Sequence, residues 1–180
     1  MDREEIIGVI CDLYEELNIF KLGFNLKEVC NKLDINLIPY SSFKDESLLL
    51  KLDEDGFNCI NPKNSKIVIC YNDRIKPRKR IKFTIPHEIG HIVLNHNLKG
   101  GKETDDQKKE ADIFAQEFYC PSALIIYYYI YRMSDLMSIF GITQGYAEVL
   151  IDKIGNRYQD LSKNEKRLIK IFEKNGKNIK

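Results

Sequence analysis

The stretch Thr84-Ile85-Pro86-His87-Glu88-Ile89-Gly90-His91-Ile92-Val93-Leu94 decides how this chain is read. His87 and His91 are four residues apart. On a helix that spacing puts two side chains about 40° apart around the axis and one turn along it. Both imidazoles can therefore reach one ion from the same face, and neutral imidazole is a ligand that suits zinc. Glu88 follows the first histidine, so it can flank a metal without ligating it, which is where a general base for a metal-activated water belongs. Ile89, Ile92, Val93 and Leu94 anchor the helix in a core, and Gly90 lets another element approach it closely. The pattern predicts a helix over residues 78–96.

A third ligand has to come from elsewhere. His96 lies nine residues after His87, about 180° around a helix that continues that far. It reads instead as a helix-end histidine, favourably placed at a C-terminal dipole. A second histidine-rich extension is also excluded, because Leu94 and Asn97 stand where a glycine and a histidine would be needed. A carboxylate on the next helix is the remaining candidate. That helix is expected over 104–119, after a break at Gly100-Gly101 and before Pro121. Ala111, Phe114, Ala115 and Phe118 form its buried stripe, and Glu110 sits at the edge of the stripe, aimed at the first helix. Glu117 shares that direction two turns further on, and Asp112 faces elsewhere.

The two blocks Arg80-Ile81-Lys82-Phe83-Thr84-Ile85-Pro86-His87-Glu88-Ile89-Gly90-His91 and Glu110-Ala111-Asp112-Ile113-Phe114-Ala115-Gln116-Glu117-Phe118-Tyr119-Cys120-Pro121 resemble, in order and spacing, the ImmA/IrrE family of zinc metallopeptidase-like proteins. Pro86 departs from the small residue the family carries before its first histidine, and proline at that point removes a backbone donor and favours a kink. The resemblance implies a gluzincin-like zinc site between two helices. His87, His91 and Glu110 would ligate the metal and Glu88 would activate water. It also implies a zinc endopeptidase whose protein partner is a helix-turn-helix repressor, often of a mobile element, which is cut or inactivated to release its genes.

Around this centre the chain reads as α+β. Ile6, Ile10, Leu13, Leu17 and Phe20 recur at helical steps. Asn25 caps a second helix over 26–33, with Glu28 placed for a capping box. Residues 35–40, 48–52, 57–60 and 67–71 read as strands of a small antiparallel sheet packed against helices. Residues 134–150 read as two short helices around Gly141, resembling a helix-turn-helix, and Ser162 with Glu165 caps a lysine-rich last helix. The expected domains are a metallopeptidase-like unit over 1–132 and a C-terminal helical subdomain over 133–180.

Composition narrows the function. The 180 residues carry 28 Lys and Arg against 27 Asp and Glu, a balance unsuited to non-specific nucleic-acid binding. No Lys or Arg lies between Ile142 and Leu150, so that segment makes a poor DNA reader. DNA binding there is the weaker alternative, as is an anti-repressor that holds its partner without cutting it. The basic run Arg74, Lys76, Arg78, Lys79, Arg80 and Lys82 reads as a solvated linker, and the basic end (residues 161–180) as a solvated helix face. The longest apolar run, residues 123–131, is too short to span a bilayer as a helix. An odd set of five cysteines, with no C-x-x-C pair, points to reduced thiols and a cytoplasmic setting.

Overall fold

The computed structural model describes residues 1–77, 80–96, 103–155 and 160–175. In chain order its elements are α1 (Arg3–Glu16), α2 (Leu26–Lys32), β1 (Asn36–Pro39), α3 (Glu46–Leu52), β2 (Gly56–Ile60), β3 (Ile67–Tyr71), α4 (Ile81–Val93), α5 (Asp105–Tyr119), α6 (Ser122–Tyr127), α7 (Met133–Phe140), α8 (Gln144–Gly155) and α9 (Lys163–Asn175). The class is α+β, as expected. The chain divides into two compact units, Asn25–Ala115 and a discontinuous one formed by Met1–Phe24 with Gln116–Lys180. This grouping differs from a boundary at 132/133, because the apolar face of α1 packs against α9 at the other end of the chain.

Within Asn25–Ala115 the sheet has the order β1-β3-β2. It is mixed, not antiparallel as expected: β1 pairs parallel to β3 while β2 pairs antiparallel to it. The reason lies in residues 48–52. They form α3 instead of a strand, because Asp45 accepts from the Ser47 amide at 3.1 Å and the leucines that follow are unbranched at Cβ. With a helix between β1 and β2, only the short turn from Asn61 to Lys66 builds a hairpin. Side chains alternate across the sheet. Phe57, Cys59, Val68 and Cys70 turn one way, into a cluster with Tyr40, Ile38 and Leu49. Gly56, Asn58 and Ile69 turn the other way, toward α4. A Cβ on Gly56 would stand 2.8 Å from Thr84 Cγ2, so glycine is what lets α4 lie this close to β2.

In the second unit, α1 buries Ile6, Ile10, Leu13 and Tyr14. The helix stops at Glu16, and Asn18 takes a left-handed conformation (φ 52°), so Phe20 lies beyond it. The Tyr14 ring stands 5.7 Å from Phe172 of α9 and 5.4 Å from Phe118, and its hydroxyl donates to the Phe118 carbonyl. Glu165 is fully buried and bridges Arg3 Nη2 at 2.8 Å to the Ser162 amide at 2.9 Å. The Glu165 amide bonds back to Ser162 Oγ, which completes the expected capping box of α9. The helices α7 and α8 flank Gly141, whose left-handed backbone (φ 63°) closes α7, where the sequence put the turn. Leu136, Phe140, Ala147 and Leu150 turn inward.

Candidate metal centre

The helix α4 is shorter at both ends than its apolar pattern suggests. It begins at Ile81 and runs unbroken through Pro86, so the proline does not end it. It closes at Leu94, after which Asn95 adopts a left-handed conformation (φ 56°) and the His96 amide donates to the His91 carbonyl at 2.9 Å. Asparagine tolerates that backbone. The consequence is a correction: His96 does not point away on the far side of the helix. The reversal brings it back, and His96 Nδ1 stands 3.0 Å from His91 Nδ1. The expected break at Gly100-Gly101 lies outside the described residues.

His87 and His91 do share a face, with Nε2 atoms 3.1 Å apart. The carboxylate that joins them is Glu103, just ahead of α5. Its Oε1 lies 2.9 Å from His91 Nε2 and 3.8 Å from His87 Nε2. Among the described residues these three form a group able to hold an ion, with all ligand atoms within 4.8 Å of one another. Glu110, the carboxylate expected there, is placed on His96, its Oε2 2.8 Å from His96 Nε2. Asp112, expected to face elsewhere, puts Oδ1 2.9 Å from His87 Nδ1. Glu117 belongs to the other unit, where it accepts from Arg3 and Ser122.

These spacings fit a divalent cation. Nitrogen and oxygen donors about 2.0–2.1 Å from a tetrahedral ion stand roughly 3.3 Å from each other, which the observed separations bracket. Asp112 accepts the proton of His87 Nδ1, which leaves the Nε2 lone pair free and aimed at the group. The outer position of each imidazole is thus occupied by another side chain, as is usual for metal-ligating histidine.

Glu88 sits on the sheet side of α4 and is almost fully buried. The Asn58 side-chain amide of β2 donates to its Oε2 at 2.7 Å. Burial pushes the Glu88 carboxyl up to about 8, and Asp53 and Glu103 push the same way, against the pull of the Asn58 hydrogen bond. Burial likewise lowers His91 to about 4, helped by its neighbours His87 and His96, so the imidazole is neutral and able to donate a lone pair. Gly90 gives the close approach read from the sequence. A Cβ there would lie 3.0 Å from Phe114 Cδ1 on α5. Two members of the basic run are held in local ion pairs, Arg74 with Glu46 and Arg80 with Asp55, while Arg78 and Lys79 lie outside the described residues.

Sequence reasoning missed Glu103, Asp112 and Asn58. A signal for Glu103 existed: Thr104 and Gln107 form a reciprocal cap, with the Thr104 amide donating to Gln107 and the Gln107 amide to Thr104 Oγ1. That places the start of α5 and an acid immediately before it. Asn58 carried no local signal, since only the strand register aims it at α4.

The family model of the IrrE N-terminal-like domain, peptidase M78, matches residues 30–149. No curated protein and no solved structure matches the chain.

Proposed function

Because the chain belongs to the M78 peptidase family of IrrE N-terminal-like domains, we propose that it is a zinc-dependent endopeptidase that cuts one regulatory protein, a helix-turn-helix repressor of the kind carried by mobile elements. The observation that carries the reading is the convergence of His87, His91 and a carboxylate beside a buried glutamate. His87 and His91 would hold the metal. The geometry favours Glu103 as third donor, where the family resemblance favours Glu110. A bound zinc ion would supply Lewis acidity, polarising a peptide carbonyl and making water acidic near neutral pH. In its ionised form, which its raised pKa makes a stronger base, Glu88 would take the proton from the attacking water and pass it to the leaving amine. Asn58 holds the Glu88 carboxylate in place.

Two surfaces support a polypeptide substrate. Among the described residues β2 has no strand partner other than β3, so its outer edge is where an extended chain could add. Beside it in sequence, α3 leaves Leu48 57% and Leu52 72% exposed, apolar area suited to a protein partner. Among the described residues no helix is long and apolar enough to cross a membrane. All five cysteines are free, in keeping with action in the cytoplasm.

The test is incubation of the zinc-loaded chain with its candidate repressor, followed by mass spectrometry. Discrete fragments are expected, absent with chelator and absent with Glu88→Gln. That variant should retain its metal, whereas His87→Ala and His91→Ala should lose it. An intact repressor held in a stable complex would refute proteolysis and leave a sequestering anti-repressor. Mobility shift of duplex DNA at low salt would favour the DNA-binding alternative.

A further inference from the structure

The last helix carries a charge that the overall balance of the chain conceals. Residues 161–180 hold seven Lys and Arg against two Asp and Glu, and one of those acids, Glu165, is buried against Arg3. At about 100° per residue the two sides of α9 separate. Leu168, Ile169, Ile171 and Phe172 point into the core. Lys163, Lys166, Lys170 and Lys174 fall within an arc of about 80° on the opposite side, and all four are exposed. They form a ridge about 16 Å long. On the flank toward α1, Arg167 is held by Asp12 and Glu15. Among the described residues none of the four ridge lysines has an ion-pair partner.

On its other flank the ridge meets an aromatic surface in the same compact unit, where α6 packs against α9. Glu173 lies one turn from Lys170 and accepts from the Tyr127 hydroxyl at 2.7 Å. Tyr127 meets Tyr128 edge to face at 5.0 Å, and Tyr129 meets Tyr131 at 6.1 Å. Tyr129 takes a left-handed backbone (φ 55°) just past α6 and stands 75% exposed, and Tyr127 is 37% exposed. Ring faces in water beside unpaired ammoniums offer stacking and neutralisation together. Single-stranded nucleic acid uses both. Its phosphates succeed one another at about 3.4 Å, so the ridge spans about five, and its unpaired bases leave their faces open to tyrosine. A duplex hides its base faces. A membrane would need the apolar face of α9, which is buried.

We propose that α9 and the tyrosines beside it form a binding surface for single-stranded nucleic acid. Lys163, Lys166, Lys170 and Lys174 follow the phosphates, and Tyr129 stacks on a base. The surface shares no residue with the metal centre, so it stands or falls apart from the peptidase reading.

The test is fluorescence anisotropy of the full chain with labelled oligo-dT and oligo-rU of about 12 nucleotides, and with a duplex of that length. The single strands should bind at about 50 mM salt and the duplex more weakly. Four neutralised phosphates give a logarithmic salt slope of about −2.8, so about 200 mM salt should weaken binding about 50-fold. Replacing all four lysines by glutamine should remove most of that slope. If that variant does not fold, Lys166→Gln with Lys170→Gln should halve it. Tyr129→Ala should weaken binding about 5–150-fold, and Tyr129→Phe, which keeps the ring face, should bind like the wild type. Tighter binding of oligo-rU or of oligo-dT assigns the strand as RNA or DNA. No binding at about 50 mM salt, a duplex bound as tightly as the strands, or an unaffected Tyr129→Ala overturns the proposal. So does polyglutamate that displaces oligo-dT as well as unlabelled oligo-dT does, since the ridge then serves an acidic protein.

Discussion

Replacing Gly90 by alanine tests whether the metal helix and α5 are in the close contact the structure describes. The added methyl would stand 3.0 Å from Phe114 Cδ1 and 3.2 Å from both Phe114 Cβ and Cγ. Apolar carbons rest at about 3.5–4.0 Å, so roughly half an ångström must open. Rotating the ring does not relieve the contact with Cβ, and Phe114 is fully buried, so α5 has to shift along with the side chain. Overpacking of this kind costs about 1–3 kcal/mol. Alanine recovers about 1 kcal/mol of helix propensity over glycine. The net expectation is a loss of about 1 kcal/mol, or roughly 2–4 °C in Tm for a chain of this size. Gly145 on α8 is the control, with nothing within 4 Å of the Cβ it would gain. Gly145→Ala should stabilise by roughly 0.5–1 kcal/mol. The assay is thermal unfolding of both variants without metal, with zinc affinity measured beside it. Because Glu110 and Asp112 lie on α5, Gly90→Ala should also weaken zinc binding, and Phe114→Leu in the same chain should restore part of both losses. If Gly90→Ala raised Tm as much as Gly145→Ala, the proposed packing of α4 on α5 would be wrong.

Two further expectations concern the rest of the molecule. Arg3 donates to both Glu117 and Glu165, of which Glu165 is fully buried and Glu117 nearly so. Arg3→Met should therefore cost about 3–5 kcal/mol at pH 7 in denaturant titrations. A loss below about 1 kcal/mol, the worth of an exposed pair, would contradict this. Burial pushes the thiols of Cys11, Cys30 and Cys70 up to about 12 and raises that of Cys120 well above its ordinary value, while Cys59 is only half-buried. A chromogenic disulfide should label Cys59 first and the other four only on unfolding, which peptide mapping after timed quenching would check.

Much of the centre was legible because its geometry is local. The H-E-x-x-H spacing places His87 and His91 together on any helix, and Gly90 between them signals close approach without saying to what. The caps at Asn25 and Ser162 were legible for the same reason, each being a bond within three residues. The strand assigned to residues 48–52 failed because a leucine-rich run has no period that separates strand from helix, and the deciding bond comes from Asp45, outside the run. The sheet's mixed order followed from that one element.

The sequence alone determined that two imidazoles point one way and that a glutamate stands beside them, because helix pitch is the same everywhere. Which acid meets them was decided by tertiary structure. Glu103, Glu110 and Asp112 all lie within ten residues, and angles around α5 give each one's direction relative to its own axis, not to a neighbouring helix. The placement of α5 against Gly90 sends Asp112 to His87, and the turn at Asn95 sends His96 to Glu110, leaving Glu103 to face the histidine pair. A single left-handed residue, Asn95, thus changes which acid each histidine meets.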